Sequence, residues 1–148
     1  RQSMRLIPAS HWWEMIQQRY PQKGITFIQN ISQEEEGEIE EDIPQELFDS
    51  VLDNLLQNAL EKQQLEPHLE IIVRIGYQQN IQFLVSDTGT GIAENIQKKL
   101  FKQAVQSNKG MGVGLYQQAQ QAQQYGYALS LVSAKLGNVC FRLQKITN

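Results

Sequence analysis

The chain has 148 residues, a mass of 17.0 kDa and a formal net charge of −3, with 41% hydrophobic and 20% charged residues. That is the length of one domain able to bury a core, and the charge offers no general attraction to nucleic acid or anionic lipid. The single Cys140 cannot form an internal disulfide, which makes a reducing cytoplasm the expected compartment. No apolar run approaches the ~20 residues of a membrane span, so membrane contact by this domain is not expected. Arg1 is not an initiator methionine and no signal peptide precedes it. The expectation is one domain, residues 1–148, from a larger protein that can itself be membrane-anchored.

Arg1 to Pro8 reads as a short lead or edge strand. Ser10 is placed to cap a helix from about His11 to Tyr20, with Glu14 favouring its positive end. Lys23-Gly24 is a turn, and Ile25-Thr26-Phe27-Ile28 has strand chemistry. The run from Glu34 to Asp42 is acidic and broken by Gly37; it reads as a solvated hairpin, with a docking surface for a basic partner as the alternative.

Pro44 starts a helix reaching about Gln64. Its apolar residues Leu47, Phe48, Val51, Leu52, Leu55, Leu56, Ala59 and Leu60 recur at three and four, which buries one broad face. Leu69 to Tyr77 and Ile81 to Val85 read as an antiparallel hairpin around Gln78-Gln79-Asn80. A helix from Ala93 to Phe101 follows, then a polar loop, then a helix from near Val113 to Gly126. That last helix contains a glutamine-rich run, yet Leu115, Ala119 and Ala122 share a face fit to pack on a sheet. Tyr127 to Ser133 and Val139 to Leu143 form a closing hairpin through Gly137-Asn138. The expected fold class is α/β, a two-layer sandwich with helices on one face of a mixed sheet.

Three motifs stand in order within roughly sixty residues. Asn54-Leu55-Leu56-Gln57-Asn58-Ala59 lies on the long helix. Ser86-Asp87-Thr88-Gly89-Thr90-Gly91-Ile92 ends a strand. Lys109-Gly110-Met111-Gly112-Val113-Gly114-Leu115 opens the last helix. A buried carboxylate at Asp87 demands hydrogen-bond donors, and an exocyclic amine is a good one. Gly89 and Gly91 let the backbone turn sharply and lie close to a bound group. The Asn58 amide oxygen suits Mg²⁺, which takes hard oxygen ligands alongside phosphates and water. Gly110, Gly112 and Gly114 free backbone N–H groups at a helix N-terminus, and Lys109 adds a point charge, a combination suited to phosphate.

Together these motifs resemble the catalytic ATP-binding domain of sensor histidine kinases, within the superfamily of type II topoisomerases, heat-shock protein 90 and mismatch-repair ATPases. The resemblance implies a Bergerat-type fold, ATP and Mg²⁺ as cofactors, Asp87 reading the adenine amine and Asn58 as the magnesium ligand. It implies a nucleotide site of Asn54, Asn58, Lys62, Asp87, Gly89, Gly91, Ile92, Phe101, Lys109, Gly110, Met111, Gly112, Val113, Gly114 and Leu115. The segment between Phe101 and Gly110 corresponds to the family's lid and is short.

No catalytic side chain is assigned. In the topoisomerase and chaperone branches the residue one turn before the magnesium asparagine is a water-activating glutamate. Here it is Asn54, an amide that cannot serve as a base at neutral pH. The chain departs from many histidine kinases in having Glu61 three residues after Asn58, with Lys62 one place later and within reach of a phosphate. Its final glycine-containing turn and strand, Gly137-Asn138-Val139-Cys140-Phe141, also offer no Thr or Ser where the family tends to have a hydroxyl residue.

His11 precedes Trp12, and His68 follows Pro67, so neither has the acidic neighbour of a phosphoacceptor histidine. The implied partners are therefore a dimerisation and phosphoacceptor domain of the same parent protein, and a response regulator downstream. Trp12 and Trp13 mark either the face meeting those absent helices or ordinary core. Two rival functions remain: a serine kinase of the anti-sigma-factor group, and a degenerate nucleotide-sensing module, the latter motivated by Glu61 and the short lid.

Overall fold

The computed structural model describes residues 4–21, 24–30, 41–102 and 111–147, with the side chains of Asn30, Gln78 and residues 111–113 set aside. Strand β1 (Leu6–Pro8) leads directly into helix α1 (Ala9–Arg19), and β2 (Ile25–Asn30) follows. Strand β3 (Asp42–Pro44) runs into the long helix α2 (Gln45–Leu65). Strands β4 (Ile71–Gln78) and β5 (Asn80–Asp87) form a hairpin whose turn places Gln79 at a φ of 69°. A single helical turn, α3 (Glu94–Gln97), precedes α4 (Met111–Gln124), and β6 (Tyr127–Lys135) and β7 (Asn138–Lys145) close the fold.

Five strands form one sheet in the order β2-β4-β5-β7-β6, and β1 pairs with β3 in a separate two-stranded sheet. β2 runs parallel to β4, and the remaining pairs in the large sheet are antiparallel, so that sheet is mixed. Its strands alternate as a half-covered sheet requires: Ile71, Val73 and Ile75 are buried, and their neighbours Ile72 and Arg74 are partly exposed. On β5 the buried set is Ile81, Phe83 and Val85. The register brings both sets onto one face with Phe141 and Leu143 of β7. This is the expected two-layer α/β sandwich.

The helical layer meets that face through a cluster of rings. Phe48 on α2 stands edge-on to Trp12 at 5.0 Å, to Phe83 at 5.3 Å and to Tyr127 at 5.4 Å between ring centroids. Both Trp12 and Trp13 are buried, which makes them core residues. Helix α1 is fastened to the outer side of α2 by polar contacts. Trp12 Nε1 donates to Asp49 at 2.9 Å, Arg19 bridges Asp49 and Asp53, and the Tyr20 hydroxyl donates to Asp53 at 2.5 Å. Burial first, then that hydrogen bond to Asp53, pushes the Tyr20 phenol up to about 12. Tied on this side, α2 turns a different flank toward α4 and the end of β5.

Several boundaries differ from the sequence expectation. Ser10 does not cap α1: the helix begins at Ala9 with Pro8 in the capping position and no side-chain cap bond. Proline supplies the extended backbone that ends β1, so the helix can start at once. Strand β3 is absent from the sequence reading because it is only three residues long and is defined by its partner β1. The expected helix over Ala93 to Phe101 is regular only from Glu94 to Gln97, and bonds such as Lys99 N to Ile96 O continue it as tight turns. Helix α4 starts at Met111 rather than near Val113. Most of the acidic run, residues 34–40, lies outside the described residues, as do most of the polar loop and its proposed lid. Among the described residues no helix is long and apolar enough to cross a membrane.

Phe48 is fully buried and touches three other rings. Phe48→Ala is therefore expected to destabilise the fold by about 3–5 kcal/mol. Urea unfolding followed by circular dichroism measures this, and a loss below about 1 kcal/mol would contradict the central position given to the ring cluster.

Candidate functional site

Helix α2 buries Leu52, Leu55, Leu56 and Ala59 and carries a second, polar line of residues along its flank. Asn54, Asn58, Lys62 and Glu66 follow one another at intervals of four, about one helical turn each. Each makes a specific contact. Asn54 Nδ2 donates to Gln118 Oε1 on α4 at 3.0 Å, and Asn58 Nδ2 donates to Asn54 Oδ1 at 3.3 Å. Lys62 Nζ donates to Asp87 Oδ1 at 2.9 Å and to the Thr90 carbonyl at 2.6 Å. Glu66 accepts the Thr90 N–H at 2.9 Å and the Thr90 hydroxyl at 2.8 Å. The Thr90 hydroxyl bond, aided by its N–H and by Lys62, holds the Glu66 carboxyl below its ordinary value against the cost of desolvation.

Asp87 is the last residue of β5 and only 8% exposed. Its Oδ1 accepts the Gly89 N–H at 2.9 Å as well as the Lys62 ammonium. A carboxylate withdrawn from water is tolerated where donors of this kind compensate it.

Beside these groups opens a cavity of about 390 Å³. Its walls are apolar, with Leu55, Ala59, Val85, Ile92, Val139 and Phe141, while Asn58, Lys62 and Asp87 supply polar groups. Apolar walls with a few convergent polar groups are the usual build of a small-molecule site.

The backbone that frames the cavity is fixed from the β6–β7 hairpin. Ile92 N donates to Ala134 O at 2.9 Å, and Gly137 N donates to Gly89 O at 2.8 Å. Gly137 turns the hairpin at a φ of +86°. A Cβ on Gly91 would stand 2.5 Å from the Ala134 carbonyl oxygen, so this glycine is required by the hairpin's close approach. On α4, a Cβ on Gly114 would stand 2.6 Å from Asn54 Nδ2. Gly114 thus lets the first turns of α4 lie against the polar line of α2.

The structure brings Asn54, Asn58, Lys62, Asp87, Gly89, Gly91 and Ile92 together. Phe101 is half-buried and stands edge-on to Phe141, a wall residue, at 6.3 Å between centroids. Leu115 is fully buried in the core. The backbone of Met111, Gly112 and Val113 forms the start of α4, and Lys109 and Gly110 lie outside the described residues.

Three participants escaped the sequence reading. Glu66 lies just past the expected helix end, although its spacing from Lys62 continues the series. Thr90 sat inside a motif with no role assigned. Gln118 was one of many glutamines, yet it hydrogen-bonds Asn54 to α4 while donating to the backbone and hydroxyl of Ser50, both at 2.7 Å.

A protein-family model described as "Histidine kinase-, DNA gyrase B-, and HSP90-like ATPase" matches residues 44–146. The chain belongs to this ATPase family. The matched span holds α2, β5 and α4, the three elements that carry the site. Solved structures of similar fold include a nucleotide-free catalytic domain of histidine kinase ThkA, with a TM-score of 0.73 and 17% identity over 98% of this chain and 96% of that one. Full-length ShkA in complex with AMPPNP matches with a TM-score of 0.68 and 18% identity, over 97% of this chain and 31% of ShkA. Acinetobacter baumannii histidine kinase AdeS matches with a TM-score of 0.66 and 16% identity, over the whole chain and 69% of AdeS. No curated protein gives a significant match. As a member of the ATPase family, the chain keeps the sheet and helices of these domains at very low identity.

Gly91 and Gly114 face different obstacles, and their substitution should differ accordingly. Gly91→Ala drives a methyl group into backbone and is expected to cost about 1–3 kcal/mol. Gly114→Ala meets the movable end of Asn54 and should cost less. Parallel denaturant titrations test this order, and equal losses would show that the β6–β7 hairpin can yield.

Proposed function

We propose that this chain is the ATP-binding catalytic domain of a sensor histidine kinase. It binds MgATP and donates the γ-phosphate to a histidine on a dimerisation and phosphoacceptor domain of the same parent protein, with a response regulator downstream. The observation that carries the reading is the course of the α2 polar line. It joins a buried carboxylate at one end of an apolar cavity to the first turns of α4 at the other.

The residues present fit such a ligand. The cavity volume and apolar walls suit a purine, and Asp87 supplies the acceptor that distinguishes an amine-bearing base. Asn58 donates through its nitrogen to Asn54, and that bond leaves its carbonyl oxygen to serve as a hard ligand. Among the described residues no cluster of three His, Cys, Asp or Glu side chains is placed to hold a metal, so Mg²⁺ here would rely on the triphosphate for most of its oxygens. The start of α4 offers backbone N–H groups and the positive end of a 14-residue helix to anionic oxygen. Lys109 and Gly110 extend this cradle in the proposal.

Asn54 bears on what happens to the γ-phosphate. Its nitrogen is engaged by Gln118 and its oxygen by Asn58, and an amide has no useful basicity. Bound ATP is thereby spared from attack by water and kept for an acceptor. In the transfer, the bond from the γ-phosphorus to the bridging oxygen breaks and a bond from phosphorus to an imidazole nitrogen forms. ADP leaves and the imidazole gives up its proton. His11 and His68 are exposed but lack an acceptor's setting, so the acceptor is assigned to another domain.

Asp87→Asn should weaken ADP binding by about 1.5–3 kcal/mol, the worth of a hydrogen bond to a charged group. Isothermal titration on the intact chain measures this, and unchanged affinity would remove Asp87 from base recognition. Asn58→Ala should lower the magnesium dependence of ATP affinity while leaving the melting of the nucleotide-free protein nearly unchanged.

Mixed with the phosphoacceptor domain of its parent, the chain should transfer radiolabel from [γ-³²P]ATP to give a phosphate stable to alkali and labile to acid. The chain alone should neither label itself nor hydrolyse ATP at a steady rate. Acid-stable phosphate on a serine of a partner would favour the anti-sigma-factor type of kinase. Binding with no transfer to any acceptor would favour a nucleotide sensor.

A further inference from the structure

Lys62 lies in the cavity at the point assigned to the base. Its ammonium contacts Asp87 Oδ1 at 2.9 Å and the Thr90 carbonyl at 2.6 Å. The Gly89 N–H already occupies the same Asp87 oxygen at 2.9 Å. One carboxylate oxygen has about two acceptor positions, so Oδ1 is filled. The Lys62 side chain is 22% exposed and that of Asp87 10%, which leaves the pair poorly screened by solvent.

We propose that Lys62 is a resident competitor in the base subsite, making the pocket select phosphorylated nucleotides over nucleosides. This rests on the reading of Asp87 as the adenine acceptor. In this proposal the incoming exocyclic amine uses Oδ1, the oxygen fixed by the Gly89 N–H, rather than Oδ2, and takes it only after Lys62 has left. The departing ammonium then loses two partners, and a nucleoside offers it none in return. A nucleotide does. Asn58 precedes Lys62 by one turn on the same flank of α2, so the flexible four-carbon stem can swing the charge from Asp87 toward phosphates near Asn58. Exchange of one anionic partner for another keeps the ammonium paired, whereas with a nucleoside the charge stays in a partly buried place with no anion beside it. Lys62 thus couples the two ends of the site: the base is admitted when phosphate arrives with it.

Calorimetric titration of the intact chain with adenosine and with ADP plus magnesium tests this in wild type, Lys62→Met and Lys62→Arg. Lys62→Met keeps the apolar stem and removes the charge. It should bind adenosine about tenfold more tightly than wild type, the equivalent of one charge-assisted hydrogen bond no longer broken. Its ADP affinity should be unchanged or lower, so the preference for ADP over adenosine contracts. Lys62→Arg keeps a cation and should retain the wild-type preference.

Thermal melts by circular dichroism confirm folding, and Lys62→Gln replaces Lys62→Met, with the same expectation, if the latter does not fold. Wild type that binds ADP, beside a Lys62→Met variant whose adenosine affinity is equal or weaker, overturns the competition and leaves the ATP reading standing. In that case adenine shares the carboxylate with Lys62. Failure of wild type and variants alike to bind ADP overturns both.

Discussion

Four side chains at a spacing of four, Asn54, Asn58, Lys62 and Glu66, draw one line along α2, and the rest of the site is arranged around it. An α-helix advances 400° in four residues, so such a line winds slowly, through about a third of the circumference over its three steps. The apolar face of α2 is spent on the sheet and its acidic residues Asp49 and Asp53 on α1. The polar line is what remains to meet α4 at one end and the segment after β5 at the other. A helix given three distinct partners in this way has little freedom to rotate. That is why one asparagine can be held at both of its amide atoms.

The far wall depends on backbone rather than side chains. The segment after Asp87 is caught between α2 and the β6–β7 hairpin, with Glu66 and Lys62 holding Thr90 from one side and Ala134 and Gly137 bonding the backbone from the other. Gly91 is the point of closest approach, where a single added carbon would strike a carbonyl oxygen. The cavity is therefore bounded by parts of the chain that are distant in sequence yet bonded to one another. Such a boundary keeps an acceptor like Asp87 in place for whatever ligand it meets.

Charge within the cavity is balanced locally. Asp87 faces Lys62, and Glu66, one turn beyond Lys62, takes the two donors of Thr90. Removing Lys62 would leave the Asp87 carboxylate short of a partner in a poorly solvated place, a costly arrangement, whereas the Glu66–Thr90 bonds are exposed to water. A ligand entering such a site has to substitute for the contacts it breaks. The proposed discrimination between a base and a whole nucleotide would follow from that exchange rather than from the shape of the walls.

Much of this was legible in the chain itself. The period of apolar residues from Leu47 to Leu60 located α2 and its buried face, because burial on one side of a helix writes itself at intervals of three and four. Alternation did the same for β4 and β5. The glycines after Asp87 and before Leu115 marked the candidate site, because close approach of a neighbouring group to the backbone excludes larger residues. What the glycines approach was not legible. Gly91 answers to Ala134 and Gly114 to Asn54, and both partners come from distant stretches of sequence.

The same limit explains the remaining gaps. Strand β3 exists only by pairing with β1, and α3 stops after one turn although its residues favour more. Gln118 looks like its neighbouring glutamines until Asn54 and Ser50 stand beside it. Lys62 looked free to reach a phosphate, and only the folded chain put its ammonium on Asp87. Periodicity and glycine placement are local records of burial and crowding, so the sequence by itself determined most of the elements, the class of fold and the motifs of the candidate site. The partner of each polar side chain is chosen by distance in space, and that only the tertiary structure decided.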